Sequence, residues 1–306
     1  MREDKEPKRD DRCASDAGMS DDSKTGTPKD SHYARLRRAH RDRSGAPGDR
    51  PAMPRPRPGA SEAEAVPAGL VRLYGLHTVR AALDNPARRN VRLLATRNAL
   101  GRLDLAEDGV PGLPLEIVEP RLLDRLLGGE AVHQGTMLES RPLTPKPLAA
   151  LGDTPLLLVL DQVTDPHNVG AIMRSAVAFG AGALITTARH SPAETGVLAK
   201  AASGALEHID HIEVRNLADA LGELHAAGFM TIGLDSDGPL ELESTLAGGR
   251  IALVLGAEGK GLREKTRHTV SALARLDMPG AIRSLNVSNA AAIALYAARR
   301  HLAAGK

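Results

Sequence analysis

A chain of 306 residues has room for two ordinary domains, and no apolar run in it reaches the ~18 residues of a membrane span. The single cysteine, Cys13, excludes an internal disulfide and a zinc site built on cysteines, and it suits a reducing compartment. The formal net charge of +2 is unevenly spread: residues 31–60 hold eight arginines against two aspartates, while residues 61–306 sum to −2.

The chain starts charged from Arg2 and has no apolar signal region, so it is expected to be cytoplasmic rather than exported. Aromatic residues make up 2% and tryptophan is absent, which argues against base-stacking platforms as the main mode of binding. Residues 1–68 are rich in Asp, Arg, Lys, Ser, Pro and Gly without apolar periodicity, and are expected to be a disordered, partly basic tail. Within it, "YARLRRAHRDR" (33–43) is either a solvated charge block or an electrostatic arm for nucleic acid.

Order is expected from residue 69. "VRLYG" (71–75) predicts a strand, and Leu76, Val79, Ala82 and Leu83 share one helical face. "VRLLAT" (91–96) and "LEIVE" (115–119) predict strands, "RLLDRLL" (121–127) a helix, and "QGTMLES" (134–140) closes a small α/β domain over 69–140. The proline-rich "RPLTPKP" (141–147) opens a linker over 141–153.

Residues 154–306 alternate strand and helix. Strands are predicted at 155–163, 181–187, 211–214, 229–236, 250–256 and 273–279. Helices are predicted at 169–180 behind Asn168, at 193–206 despite two glycines, at 217–228 behind the cap Asn216, and at the C-terminus from Asn286. Apolar strands separated by helices imply an α/β fold whose parallel sheet is covered on both faces.

Ligands of such sheets bind beyond the carboxyl ends of the strands, and three polar clusters fall there. In "DPHNVGAIMR" (165–174), Asn168 suits a helix cap, while Arg174 lies about 60° beyond the edge of the apolar stripe and is no core residue. "LVLGAEGKGL" (253–262) sets three glycines and Glu258 after an apolar strand, with neither Walker A nor G-x-G-x-x-G spacing. "AIRSLNVSNAAAIAL" (281–295) crowds Ser284, Asn286, Ser288 and Asn289 into one helix start, more than a single cap requires. His208 and His211 have H-x-x-H spacing without a third ligand nearby, so no metal is expected.

The segments "NVGAIMR" (168–174), "LGAEGKGL" (255–262) and "MPGAIRSLNVSNAAAIALY" (278–296), in this order, resemble the three signature motifs of the SpoU (TrmH) RNA 2′-O-methyltransferases. "LYGLHTVRAALDN" and "HQG" (133–135) resemble the small substrate-binding domain of the bacterial 23S rRNA guanosine 2′-O-methyltransferases in that family. The resemblance implies a trefoil-knotted SPOUT domain at 154–306, S-adenosyl-L-methionine as methyl donor, RNA as partner, and a homodimer with its site near the subunit interface. It makes Asn168, Arg174, Glu258, Ser284 and Asn286 the catalytic set, and Gly256, Leu276 and Leu285 cofactor-holding positions. Asn289 and Ala297 depart from common family residues.

The reaction so implied moves a methyl group from a sulfonium to a ribose 2′-hydroxyl, on a guanosine of 23S rRNA in the loop that contacts P-site tRNA. Guanidinium holds its proton far above neutrality, so electrostatic stabilisation of the developing alkoxide suits Arg174 better than base catalysis. Glu258 is left between pairing with Arg174, pairing with Asn168 and ordering its own loop. The alternatives are the same chemistry on tRNA or an rRNA adenosine, and a non-catalytic RNA-binding assembly factor. A nicotinamide oxidoreductase is disfavoured by the missing dinucleotide fingerprint.

Overall fold

Two sheets organise the chain. In the computed structural model, which describes residues 63–305, the first has the order β1-β4-β2-β3 and the second β7-β6-β5-β10-β8-β11-β9. The expectations for residues 1–62, the basic segment 33–43 included, lie outside the described residues. All described residues belong to one compact unit.

The small lobe runs β1 (Val71–Tyr74), α1 (Leu76–Asp84), β2 (Asn90–Ala95), α2 (Arg97–Arg102), β3 (Leu115–Ile117), α3 (Pro120–Leu127) and β4 (Thr136–Ser140). β4 pairs antiparallel with β1 and β2, and β3 joins β2 in parallel. A buried charge cluster crosses this sheet. Glu139 accepts from Arg72 Nε at 3.2 Å and Arg92 Nε at 2.7 Å, and Arg72 Nη1 donates to the carbonyls of Glu64 and Leu126 at 2.7 Å. Residue 64, assigned from sequence to the tail, thus already packs on the lobe.

The large lobe contains β5 (Leu156–Asp161), α4 (Pro166–Ala178), β6 (Ala183–Thr187), α5 (Gly196–Ala202), β7 (Asp210–Val214), α6 (Leu217–Ala226), β8 (Met230–Leu234), β9 (Leu240–Glu241), α7 (Leu242–Thr245), β10 (Ile251–Gly256), α8 (Glu264–Thr269), β11 (Ala272–Arg275) and α9 (Val287–Ala304). Its strands all pair in parallel. β5 is buried on both faces by alternation. Leu156, Leu158 and Leu160 join the core with α4 and α9, while Leu157 and Val159 join the core with α6. Each such side chain contributes about 1.5–3 kcal/mol on burial.

Three differences from the sequence reading have local causes. The cap of α4 is Asp165, whose carboxylate accepts from His167 N at 3.1 Å, so Asn168 lies inside the first turn and is released for another task. The helix expected over 193–206 stops at Ala202. Ser203 and Gly204 turn left-handed (φ 52° and 95°) before a 3-10 turn at Ala205–Glu207, a turn that glycine adopts without strain, and a side chain at Gly204 would also meet Ala81 of the small lobe. The linker is not free: Lys146 N donates to His211 O at 2.8 Å, along β7. The short α2, α7, α8 and β9 were not expected, since two to six residues carry no readable period.

The lobes meet over a tight joint. Arg88, on the loop from α1 to β2, is buried and forms ion pairs with Glu194 and Glu207 of the large lobe. Asn85 Nδ2 donates to Glu207 at 2.7 Å and Leu143 N to Glu194 at 2.8 Å. Thr78 Oγ1 donates to Ala199 O at 3.2 Å. Gln134, in "HQG", accepts from Leu76 N at 3.1 Å and from Lys200 Nζ at 2.9 Å, fixing the start of α1 to α5. A side chain at Gly75 would strike Lys200, and one at Gly196 would strike the Arg72 carbonyl.

Candidate active site

The three polar clusters converge. β10 ends at Gly256, and residues 257–261 close a tight turn in which Ala257 and Gly261 exchange backbone hydrogen bonds of 3.1 and 2.8 Å. Glycine at 256 is required by proximity: an added Cβ would lie 2.1 Å from the Gly261 carbonyl carbon. Behind this turn the buried Asp161, at the end of β5, accepts from Arg263 N at 3.0 Å and Arg263 Nε at 2.6 Å.

Asn168 joins the clusters together. Its Nδ2 donates to Glu258 at 3.3 Å and its Oδ1 accepts from Asn286 Nδ2 at 3.0 Å, so one side chain from each sequence cluster enters a single chain of hydrogen bonds. Glu258 pairs with Asn168 here. Asn286 also caps α9, its Oδ1 accepting from Ser288 N at 2.9 Å and Ser288 Oγ at 2.6 Å. The crowding of polar residues at this helix start therefore has a physical reason: one asparagine caps the helix and braces another loop, and Ser288 supports it.

Gly256, Glu258, Leu276, Ser284, Leu285 and Asn286 all line one cavity of about 670 Å³ at the carboxyl ends of β8, β10 and β11. That size is ordinary for a ligand of nucleoside dimensions, since such pockets span roughly 300–1,000 Å³. Residues 276–286, of which Leu276, Met278 and 283–286 line the cavity, have no regular structure, β11 ending at Arg275 rather than at the expected 279.

Sequence reasoning missed Asp235, Asp237 and Arg267 in this wall. Arg267 of α8 pairs with Asp235, and Asp237 N donates to the same carboxylate at 2.9 Å. A signal existed: "LDSD" (234–237) places two carboxylates just past an apolar strand, at the end where ligands bind.

Arg174 is elsewhere. It is exposed on α4 and lines a separate groove of about 370 Å³ with His77 and His208. A larger cavity, about 930 Å³, lies between the lobes beside Arg89, Arg141 and Glu194 and contains none of the eight candidate residues. Chemistry rather than volume therefore assigns the site. Among the described residues no three His, Cys, Asp or Glu side chains gather as metal ligands. His211 instead shares a 2.8 Å hydrogen bond with Thr186 Oγ1, and burial lowers its pKa.

Comparison with known proteins agrees with this geometry. Residues 155–296 match the SpoU rRNA Methylase family, and residues 72–146 match the RNA 2′-O ribose methyltransferase substrate binding family. The chain is 36% identical over 240 residues to the 23S rRNA (guanosine-2′-O-)-methyltransferase RlmB of Vibrio vulnificus, covering 74% of this chain and 96% of the relative. It is 39% identical over 239 residues to RlmB of Ralstonia nicotianae, covering 74% and 94%. Among solved structures, an AdoMet-bound rRNA methyltransferase from Sinorhizobium meliloti superposes with a TM-score of 0.63 at 25% identity, covering 76% of this chain and 88% of the other. The SpoU methyltransferase AviRb of Streptomyces viridochromogenes, in complex with AdoMet, gives 0.65 at 23% identity, over 78% and 92%, and supports the fold.

Proposed function

The chain belongs to the SpoU rRNA methylase family, and from that premise we propose that it methylates the ribose 2′-hydroxyl of a guanosine in 23S rRNA. The observation that carries the reading is the hydrogen-bond chain Glu258–Asn168–Asn286 beside a nucleoside-sized cavity. The similarity to RlmB proteins over nearly their whole length supports the choice of RNA.

The cavity suits S-adenosyl-L-methionine. Leu234, Leu276 and Leu285 offer apolar contact to an adenine ring, the backbone of 256–261 offers polar groups to its edge, and Asp237 offers a negative charge to a cationic ligand. Bound there, the cofactor supplies a methyl group already activated by its positive sulfur. The chain's own task is alignment and charge. Asn168 and Asn286 hold the cavity wall, Ser284 stands exposed at its rim for the ribose, and Arg174 stabilises the negative charge growing on the 2′-oxygen.

Arg174 does not line the cofactor cavity of its own chain, so we infer that a second copy supplies it. The surface around the cavity supports a homodimer. Leu285, which lines the cavity, is 41% exposed, Ile282 in the same segment is 77% exposed, and Ile293 and Tyr296, 45% and 54% exposed, lie on α9. The trefoil knot belongs to this reading as a family property. So do the division into a small substrate-binding domain (69–140), linker (141–153) and methyltransferase domain (154–306), and a cytoplasmic setting.

The test is transfer of labelled methyl from S-adenosyl-L-methionine to rRNA and tRNA taken from a strain lacking the gene, with mapping of the modified nucleotide. A 2′-O-methylguanosine in 23S rRNA is expected. Label in tRNA alone would overturn the substrate, and no label in any RNA would overturn the activity.

A further inference from the structure

We propose that the groove holding Arg174 is a docking track for the RNA strand adjoining the target ribose, with His77 and His208 as its binding residues. The inference rests on the methyltransferase reading above and adds a substrate contact to it.

Both lobes build the groove. α1 of the small lobe contributes His77, α4 contributes Arg174, and the turn after α5 contributes Ser203 and His208. His77, Arg174 and His208 are exposed, and among the described residues none makes a side-chain hydrogen bond or ion pair. Arg80, beside them, is already engaged: Nε donates to Asp84 at 2.9 Å and Nη1 to the Leu103 carbonyl at 2.7 Å. Asp84, the one carboxylate lining the groove, is thereby partly neutralised. What remains facing outward is a guanidinium and two imidazoles, a donor set that suits phosphate and 2′-hydroxyl oxygens.

The spacing of the walls is fixed. Gly204 forms the floor with φ 95°, and a Cβ there would come within 3.0 Å of the Ala81 Cβ and 3.3 Å of the His77 carbonyl oxygen. The backbones of the two lobes therefore touch beneath the groove. The buried hydrogen bond from Thr78 to Ala199 clamps the residue next to His77 against α5. A space of about 370 Å³ takes one nucleotide rather than a duplex. Since single-stranded segments are the usual targets of specific RNA recognition, a strand led past Arg174 would cross both histidines.

The experiment compares wild type, His77→Ala, His208→Ala and the double variant in the full chain. Affinity for a 23S rRNA fragment is measured by filter binding, cofactor affinity by calorimetry, and turnover by label transfer. The double variant is expected to raise the RNA KM and Kd about tenfold, a loss of about 1.4 kcal/mol, while kcat and the S-adenosyl-L-methionine Kd stay within about twofold. His77→Gln with His208→Gln, which keeps a donor at each position, is expected to restore most of the affinity. A double alanine variant that binds RNA like wild type overturns the groove. A wild-type protein that neither binds nor methylates RNA overturns the enzymatic reading instead, so the two failures are distinguishable.

Discussion

The cofactor cavity and the Arg174 groove are built in opposite ways. The cavity is made of backbone and internally satisfied side chains: a glycine turn, the buried Asp161 behind it, and the Glu258–Asn168–Asn286 chain. The groove presents His77, Arg174 and His208, exposed side chains that make no side-chain hydrogen bond among the described residues. The first is preorganised before any ligand arrives, which is what differential stabilisation of a transition state requires. In the proposed reading the second is completed by what it meets, RNA and a second copy, so that one chain carries both halves of the chemistry without placing them together.

Five substitutions probe that division, from its chemistry outward to the joint and then to its pH dependence. Arg174→Ala should lower turnover by about 10²–10³-fold, the usual cost of one oxyanion-stabilising donor, with cofactor affinity unchanged by calorimetry. Near-normal turnover would remove the groove from the chemistry. Asn168→Asp should set a carboxylate against Glu258, 3.3 Å away in the native pairing, and lower kcat/KM by about 10- to 100-fold, taking about 1–3 kcal/mol for a broken buried link. Here the fall should include cofactor affinity, the mirror image of Arg174→Ala.

Arg88→Met strikes the joint that holds the two walls of the groove. It strands two buried carboxylates and should lower stability by about 3–5 kcal/mol in denaturant titration. Above that loss it should raise the RNA KM more than the cofactor Kd, because the cavity lies in the large lobe alone. Equal changes in both would mean that the joint supports the fold and not the groove.

The smallest effect concerns pH. Burial raises the Glu194 pKa above the ordinary carboxyl value of 4.5 against the opposing pull of Arg88. A raised folded-state value makes this group's contribution complete below 4.5 and progressively lost as pH rises through the folded value. Glu194→Gln should therefore flatten the fall of Tm with rising pH. Glu139 has the opposite sign: the hydrogen bond from Arg92, with that from Arg72, lowers its pKa despite burial, so its contribution holds at neutrality and is lost in acid. The Tm deficit of Glu139→Gln should shrink as pH drops through that lowered value.

Much of the cavity was legible in the sequence because its residues are unusual for their positions. An asparagine in excess of capping need, or three glycines after an apolar strand, marks a departure from simple element building and draws attention to the stretches that hold Asn286 and Gly256, whose roles the family resemblance then implies. Asp161 and Asp235 were hidden because each reads as the polar end of a strand, and their partners Arg263 and Arg267 join them only through the fold. The separation of Arg174 from Glu258 was hidden for another reason. Helical spacing reports that a side chain faces away from the core but not which cavity it reaches. The joint between the lobes was equally invisible, since Arg88 stands in a run of surface-like polar residues, "NPARRN" (85–90).

The central claim is that each active site takes its cavity from one copy and its arginine from the other, and complementation tests it most directly. Arg174→Ala chains and Asn168→Asp chains, each nearly inactive alone, are mixed in equal amounts and allowed to exchange subunits. Methyl transfer should recover to about a quarter of the wild-type rate, because half the dimers then hold one intact site in two. A mixture no more active than its components, with exchange demonstrated, would place Arg174 and the cavity in the same chain and contradict the account.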